Sequence, residues 1–324
     1  MTRDTVRLVA LVVTYNRLAQ LKQTLKRLCE TPARTLHRIV VVDNASTDGT
    51  VSWLAGLEDA RLDIIHLTEN TGGAGGFAAG MQHARDVYDP DWMVIMDDDA
   101  RPVPHALEAF LAQEPTTWDA VAAAVYFPDG RICEMNRPSR NPFWYPGGIW
   151  RAVRQGRDGF HLAPALYDSS ETVPIDVTSF VGFFISRKGL SLAGLPDAGL
   201  FLYGDDGLYT LGLSAAGGRI GFDPTIRFEH ACSTFSDAQR GRFRPLWKVY
   251  YYHRNLLMLY RMAAGPWFWP ALVLVVPKWL LKVRNHSGER RLFLRLLAGA
   301  VRDGLLQQTD RPHSAVKALA EPRV

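Results

Sequence analysis

The first third of the chain alternates between short apolar runs and segments whose apolar residues recur at helical spacing. The runs predict four strands with both faces buried, at residues 6–14, 38–42, 62–67 and 91–96. Helices are predicted between them, as at residues 18–28, where leucines recur every three or four positions. Strands that alternate with helices predict an α/β fold with a mostly parallel, Rossmann-like sheet and helices on both faces.

A polar residue follows the end of each of these predicted strands. Tyr15, Asp43, Asn70 and Asp97 occupy these positions in chain order. Ligands of parallel sheets bind at the carboxyl ends of the strands, so we expect these four residues to lie at one edge.

The fourth run ends in three consecutive carboxylates, Asp97, Asp98 and Asp99. Three unpaired carboxylates do not fit inside a buried strand, so the cluster belongs where the chain leaves the sheet. Side chains alternate in extended chain, so Asp97 and Asp99 point the same way and can seat a divalent cation. A solvated turn or a helix N-cap is the alternative, favoured by the prolines at positions 102 and 104.

The second half of the chain is less regular. Further strands are predicted at residues 121–127, 175–186 and 219–222, and a loop or lid at 138–150. Gly182 falls inside the second of these strands, where it predicts a close approach by a ligand. A polar turn is predicted to follow Glu229 and His230 and to run through Asp237.

A glycine-rich segment at residues 72–76 follows the third strand and is predicted to be a loop before a helix at 77–87. It matches the dinucleotide pattern G-x-G-x-x-A, which would indicate a nicotinamide site. It sits in the third strand–helix unit and precedes three acids instead of one, which favours a metal–diphosphate site. A plain strand–helix junction that needs glycine for close packing is the third possibility.

Composition adds few constraints. The 324 residues are 47% hydrophobic and carry a formal net charge of +4, which fits contact with phosphates or an anionic membrane and does not indicate nucleic-acid binding. Cys29, Cys133 and Cys232 are scattered without CxxC spacing, so we expect a reducing compartment, no disulfide framework and no zinc site. The N-terminal sequence lacks the pattern of a signal peptide, which predicts a cytoplasmic protein.

The composition changes after residue 245, and we predict two domains, 1–245 and 246–324. Residues 267–281 are apolar and rich in tryptophan, and residues 278–311 carry eight Lys or Arg against three acids. Helices in a membrane interface have this pattern, and a helical cap or a dimer contact would produce it as well. No run reaches the roughly 18 apolar residues that a spanning helix needs.

Four motifs in order carry a family resemblance: residues 12–17 (VVTYNR), 40–50 (VVVDNASTDGT), 70–77 (NTGGAGGF) and 97–99 (DDD). They resemble the family-two inverting glycosyltransferases of the GT-A fold. The run GGAGGFAAGM, followed by DW and DDD, resembles the galactofuranosyltransferase branch. The resemblance covers residues 6–260 and leaves a helical C-terminal extension.

The resemblance implies a role for each matching position. The segments that hold the donor nucleotide and its sugar match Thr14, Tyr15, Asn16, Arg17, Asp43, Asn70, Gly72, Gly73, Asp97 and Asp98. The metal ligands match Asp97, Asp99 and His230, with Mn²⁺ or Mg²⁺ bridging the diphosphate. The general base matches Asp206, and Asp205 matches the acid before it.

The chemistry of sugar transfer agrees with these roles. A divalent cation held by carboxylates and an imidazole stabilises the charge that grows on a leaving diphosphate. The attacking hydroxyl must lose its proton, and a close second carboxylate raises the pKa of a base such as Asp206. The plainer interpretations are a helix N-terminal acid pair at 205–206 and a buried, hydrogen-bonded histidine at 230.

The expected function is therefore metal-dependent, inverting transfer of galactofuranose from its UDP donor to a cell-surface glycan or lipid-linked acceptor, at the inner face of the cell membrane. Phe183 and Phe184 stand where galactofuranosyltransferases carry paired Trp, which leaves a rhamnosyl or other deoxy-sugar transferase using a dTDP- or UDP-sugar open. A non-catalytic nucleotide-sugar or glycan-binding module and a nucleotidyltransferase also stay open. We expect no nucleic-acid partner and allow for a homo-oligomer.

Overall fold

The computed structural model describes residues 6–113, 115–232 and 242–321. The chain divides into two compact units, Met1–Ala198 with Tyr209–Cys232, and Gly199–Leu208 with Ser233–Val324. The division into domains at residue 245 stays a prediction. The compact units differ from it mainly in residues 199–208, which group with the C-terminal helices.

The first unit is built on one mixed sheet. Within the described residues its strands are β1 Leu8–Thr14, β2 Arg38–Asp43, β3 Leu62–His66, β4 Trp92–Asp97, β5 Ala100–Pro102, β6 Ala120–Tyr126, β7 Val173–Ile175, β8 Phe183–Ser186 and β9 Ile220–His230. Their order is β3-β2-β1-β4-β8-β6-β9-β5, and β7 pairs with β9. The first four strands are parallel, as predicted, whereas β8 is antiparallel to both β4 and β6.

Helices cover both faces of the parallel half. The helices that begin in this unit are α1 Leu18–Glu30, α2 Thr50–Leu54, α3 Gly72–Tyr88, α4 Ala106–Ala112, α5 Gly148–Gln155 and α6 Arg187–Ala193. Every residue of β1 is buried, and its side chains alternate between two cores. Leu21 and Leu25 of α1 lie in one core, and Phe77 and Met81 of α3 lie in the other. This alternation explains the continuous apolar run of a strand covered on both faces.

Two predictions for the second half are wrong. The predicted strand at residues 175–186 covers the last residue of β7 and all of β8, and residues 176–182 separate the two strands. Gly182 between them has φ +65°, and a Cβ built there would lie 2.9 Å from Ala123 Cβ and from the ring of Phe228. Glycine is required here for close packing and for a left-handed backbone, which replaces the predicted approach of a ligand. Phe183 and Phe184 are fully buried, so this aromatic pair belongs to the core.

Smaller differences concern the ends of elements. The segment predicted as a loop at 138–150 passes into α5 at Gly148. The short strand predicted at 219–222 is the start of β9, which continues to His230. Most of the predicted turn through Asp237 lies outside the described residues.

The second unit is helical. It contains α8 Lys248–Ala264, α9 Phe268–Leu281, α10 Arg290–Leu305 and α11 His313–Leu319, and α7 Asp205–Ala215 begins in it. Tyr250 and Tyr251 are buried and belong to the core of these helices. The helical run Lys248–Asn285 is long and apolar enough by length and composition to span a membrane, contrary to the expectation that no such segment exists.

Candidate active site

The register of the parallel strands places the residues predicted at the ligand-binding edge close to one another. Thr14 lies opposite Asp43 across β1 and β2, and Val13 lies opposite Asp97 across β1 and β4. Because these strands are parallel, their carboxyl ends share one edge of the sheet. Asn44, the next residue after β2, accepts a hydrogen bond from Thr71 N at 2.9 Å and thereby fixes the start of α3 at the same edge.

The metal ligands predicted from sequence lie together at this edge. One ligand atom each from Asp97, Asp99 and His230 can be chosen so that all lie within 4.8 Å of one another. His230 Nε2 contacts Asp99 Oδ1 at 3.0 Å, although the two residues are 131 positions apart. The sheet explains this contact, because β5 pairs with the end of β9 and places Ala100 opposite His230. Two carboxylates and an imidazole make a donor set that fits Mn²⁺.

The middle residue of the acid triplet has a different environment. Asp98 is 4% exposed, and its Oδ2 accepts a hydrogen bond from Thr14 Oγ1 at 2.8 Å. Burial raises the pKa of Asp98 to about 6, against the effect of its hydrogen bonds with Thr14 and Arg17. Asp98 therefore ties the end of β1 to the acid triplet, while its assigned contact with the donor stays a prediction.

Arg17 and His230 supply positive charge to the same corner. The Arg17 guanidinium donates to both Asp98 and Asp99. Burial would lower the pKa of His230, but hydrogen bonds with Asp99 and Cys232 and the charges of Asp99 and Asp97 raise it to about 10. Burial would raise the pKa of Asp99, but His230 and Arg17 together keep it below its usual value. The corner thus stabilises a positive charge, as a cation site must.

The loops that the resemblance assigns to the donor nucleotide form a separate hydrogen-bonded group. Asn16 N donates to Ser46 Oγ at 2.9 Å, and Asn16 Oδ1 accepts from Thr47 N at 2.6 Å. Asp43 is 1% exposed, and its carboxylate accepts from Ser46 N and contacts His66 Nδ1. These bonds join the loops after β1 and β2, and Tyr15 stands exposed beside them.

The glycine-rich segment is the first turn of α3, so its prediction as a loop is wrong. A Cβ on Gly76 would lie 2.5 Å from Val13 Cγ1, and one on Gly80 would lie 2.3 Å from Leu11 Cδ1. These glycines allow α3 to pack closely on the sheet. Gly73 has open space around its Cα, and Asn70 Oδ1 accepts a hydrogen bond from Gly72 N at 2.8 Å. Gly73 therefore leaves open space at this first turn of the helix.

Sequence reasoning missed a sulfur cluster on the other side of His230. Cys133, His230 and Cys232 each place a ligand atom within 4.8 Å of the others. His230 Nδ1 contacts Asn136 Oδ1 at 2.7 Å and lies 3.9 Å from Cys133 Sγ. The two cysteines are 99 positions apart, so no local spacing signalled this group. All three cysteines of the chain are free thiols.

The proposed base lies in the second unit. Asp205 and Asp206 form the first turn of α7, and burial raises the pKa of Asp206 to about 6. Asp206 Oδ1 accepts a hydrogen bond from Gly207 N at 2.7 Å. The general-base role of Asp206 and the role of Asp205 stay predictions.

A strained segment precedes these acids. Phe201 and Tyr203 have φ angles of 63° and 69°, and Gly204 follows with 73°. Left-handed backbone costs a residue with a side chain about 1–2 kcal/mol. Such strain persists only where neighbouring groups fix the backbone, and functional sites are common places for it.

Two side chains of α8 fix this segment. Asn255 Nδ2 donates to the carbonyls of Leu200, Leu202 and Tyr203 at 2.8–3.0 Å. Arg254 is fully buried and donates from Nη2 to the carbonyls of Gly199 and Leu200. The sequence signal for this role is an Arg-Asn pair within an aromatic segment, a pattern that does not by itself indicate a partner.

The sequence is similar to those of known proteins. The model of the glycosyl transferase family 2 matches residues 9–168. A galactofuranosyltransferase GlfT1 of Mycolicibacterium smegmatis is 27% identical over 226 residues, which cover 69% of this chain and 71% of that protein. GlfT1 of Mycobacterium tuberculosis is 30% identical over 199 residues, which cover 61% of each protein.

The fold has solved relatives as well. A crystal structure of GalNAc-T7 with UDP, GalNAc and Mn²⁺ aligns with a TM-score of 0.57 and 13% identity. The alignment covers 97% of this chain and 54% of that one, so this chain spans about half of its length. Residues 9–168 therefore match glycosyl transferase family 2, and the chain is a glycosyltransferase of the GT-A fold that resembles the galactofuranosyltransferases.

Proposed function

We propose that this protein transfers galactofuranose from a UDP donor to a hydroxyl of a glycan or lipid-linked acceptor, with inversion at the anomeric carbon. The observation that carries the proposal is the convergence of Asp97, Asp99 and His230 at one corner of the sheet. The relatives named galactofuranosyltransferases support the choice of sugar.

Asp97, Asp99 and His230 would hold the divalent cation, Mn²⁺ or Mg²⁺. When bound, such a cation stabilises the negative charge that develops on the departing nucleoside diphosphate. Arg17, which contacts Asp98 and Asp99, would add a second positive charge close to the diphosphate. Loss of Arg17 would therefore weaken donor binding and slow the departure of UDP.

The loops after β1 and β2 would bind the nucleotide. Tyr15 is 43% exposed and offers an aromatic face, while Asn16 and Asp43 fix the surrounding backbone through Ser46 and Thr47. The first turn of α3, with Gly72 and Gly73, would lie beside the donor. The backbone N–H groups at a helix N-terminus favour a negatively charged ligand.

Asp206 would accept the proton of the attacking hydroxyl. This assignment rests on the resemblance of residues 204–206 to the family motif. The raised pKa of Asp206 suits a general base that works near neutral pH.

The C-terminal helices would lie against an anionic membrane surface and bring the enzyme to a lipid-linked acceptor. Trp267, Trp269, Val273 and Leu274 of α9 and the turn before it are all at least 59% exposed. Tryptophan is enriched where membrane meets water, and nearby Lys and Arg residues attract anionic lipid.

The proposal is tested by the release of UDP from a panel of nucleotide sugars, with and without Mn²⁺ and with a galactofuranose-bearing acceptor. We expect turnover with UDP-galactofuranose that requires the cation. Thermal shifts with the same panel report binding independently of turnover, because a ligand stabilises the folded state by mass action. A preference for a dTDP-sugar would contradict the UDP assignment, and donor binding without turnover would favour a binding module.

The variant Asp206→Asn tests the base. It should retain the thermal shift with UDP-galactofuranose and Mn²⁺ while kcat falls by at least about 100-fold, the typical contribution of general-base catalysis. Asp197→Asn, a change of an exposed acid in a loop of the first unit, serves as the control. Normal turnover in Asp206→Asn would remove this residue as the base.

A further inference from the structure

The imidazole of His230 lies between two different sets of donor atoms. Its Nε2 faces the carboxylate of Asp99 at 3.0 Å, and its Nδ1 faces the sulfur of Cys133 at 3.9 Å. The first set, with Asp97, offers oxygen atoms, whereas the second, with Cys232, offers thiols. Hard oxygen ligands select Mg²⁺ or Mn²⁺, and thiolates select softer cations.

One side-chain oxygen accepts hydrogen bonds from both His230 and Cys133. Asn136 Oδ1 accepts from His230 Nδ1 at 2.7 Å and from Cys133 Sγ at 3.0 Å. Asn136 is itself fixed, because its Nδ2 donates to Ser179 Oγ at 2.8 Å. Asn136 therefore gathers the two ligand atoms around one buried oxygen. The carboxylate of Asp99 at Nε2 is the partner that orients an imidazole bound to a metal through Nδ1.

The third ligand atom is Cys232 Sγ, and the sulfur of Met135 lies beside it. Cys232 Sγ lies within 4.8 Å of both Cys133 Sγ and the His230 ring nitrogen, and 3.2 Å from Met135 Sδ. Zinc ligands at about 2.0–2.3 Å from the ion need only a modest contraction of this group. Cys133 is fully buried, but Met135 is 41% exposed, so a cation can enter from the side of Cys232 and Met135.

We propose that Cys133, Cys232 and His230 Nδ1 form a second cation site, selective for thiophilic ions such as Zn²⁺ or Cd²⁺, which excludes the catalytic cation by sharing His230. Binding replaces the thiol protons and the Nδ1 proton, which leave to solvent. The site has no CxxC spacing, and its cysteines come from the turn after β6 and the residues after β9.

The two cations exclude each other because they share one imidazole. This part of the proposal rests on the proposed function of Asp97, Asp99 and His230 as the site of the catalytic cation. A neutral imidazole has one lone pair for a metal. When Nδ1 binds the soft cation, Nε2 keeps its proton and donates it to Asp99 Oδ1. The oxygen-rich site then loses its nitrogen ligand, and we expect its affinity for Mn²⁺ to fall about 10-fold or more.

The soft site is tested by titrating the reduced full-length protein with Cd²⁺ and recording the ultraviolet absorption of the cadmium–thiolate bond. We expect one equivalent to produce this absorption in the wild type and in Cys29→Ser, whose thiol lies in α1. We expect its loss in Cys232→Ser, whose half-buried position makes it safer for folding than Cys133. Equal absorption in the wild type and Cys232→Ser, or no absorption in the wild type, would overturn the site.

The exclusion is tested by following Mn²⁺ binding through the electron paramagnetic resonance signal of free Mn²⁺. One equivalent of Cd²⁺ should weaken Mn²⁺ binding in the wild type and Cys29→Ser and should have no effect in Cys232→Ser. Unchanged Mn²⁺ affinity in the cadmium-loaded wild type would overturn the exclusion. Absence of Mn²⁺ binding in the cadmium-free wild type would instead contradict the proposed function, and the cadmium absorption would still report on the soft site.

Discussion

Replacing Asn255 with alanine removes the amide that fixes the segment before the proposed base. Its Nδ2 donates to the carbonyls of Leu200, Leu202 and Tyr203. Two residues of this segment, Phe201 and Tyr203, have left-handed backbone. The variant Asn255→Ala therefore removes the bonds to three carbonyls of a strained segment, while Arg254 still contacts the carbonyls of Gly199 and Leu200.

The structure sets the size of the effect. Two left-handed residues cost about 2–4 kcal/mol together. The amide has two protons, so its bonds contribute about 1–3 kcal/mol, counted as two hydrogen bonds of ordinary net strength. These quantities are comparable, so removal of the amide permits the segment to leave its conformation. A change of about 1.4 kcal/mol in the free energy of the active arrangement alters a rate about tenfold, and we expect kcat to fall by at least that factor.

The assay compares kcat, KM for the donor and Mn²⁺ affinity in Asn255→Ala and in Gln308→Ala, which removes an exposed amide from the same unit. We expect kcat to fall only in Asn255→Ala, with Mn²⁺ affinity unchanged in both variants. A folded Asn255→Ala protein with the kcat of the wild type would refute the positioning role. A parallel loss of kcat and Mn²⁺ binding would indicate general unfolding and refute it as well.

A packing glycine, the proposed base and the exposed tryptophans each give a measurable effect. Gly182→Ala should lower the free energy of unfolding by about 2–4 kcal/mol, because it adds both left-handed strain and overpacking. Gly194→Ala, which has open space where the new Cβ would stand, should lower it by about 1–2 kcal/mol from strain alone. Urea titration measures both losses, and equal losses would refute the packing argument. Asp206 must be ionised to accept a proton, so kcat/KM should fall below a pH of about 6 and level off above it. A profile that stays flat down to a pH of about 4 would contradict the role of Asp206 as the base. The double variant Trp267→Ser and Trp269→Ser should lose most of its sedimentation with anionic lipid vesicles without losing donor binding, and unchanged sedimentation would argue for a cap or dimer contact.

Much of the fold could be predicted from local patterns in the sequence. The continuous apolar runs of β1 and β2 identified strands buried on both faces, because each run reflects the average environment of its own residues. The alternation of these runs with helical periodicity then predicted the parallel half of the sheet and its ligand-binding edge.

Errors arose where two local signals compete. Glycine suggested a loop at 72–76, but α3 needs small residues there to pack on Val13 and Leu11, so the helix begins earlier. The apolar stretch at 175–186 suggested one strand, but Gly182 adopts left-handed backbone and the chain changes its pairing partner from β9 to β4 and β6.

Long-range contacts could not be found from spacing. His230 was matched to Asp97 and Asp99 only through the family resemblance, and the structure brings their ligand atoms together. Cys133 and Cys232 lack any motif, because their contact depends on β6 and β9 being neighbours in the sheet. The role of Asn255 likewise depends on a segment more than 50 positions away.

Direct titration of Mn²⁺ tests whether Asp97, Asp99 and His230 form one cation site. Asp99→Asn and His230→Gln are compared with the wild type and with His83→Gln, a histidine of α3 that contacts Asp63 instead. We predict one Mn²⁺ per chain in the wild type and His83→Gln, with affinity at least about 10-fold lower in the two site variants. Equal Mn²⁺ affinity in all four proteins would contradict the account.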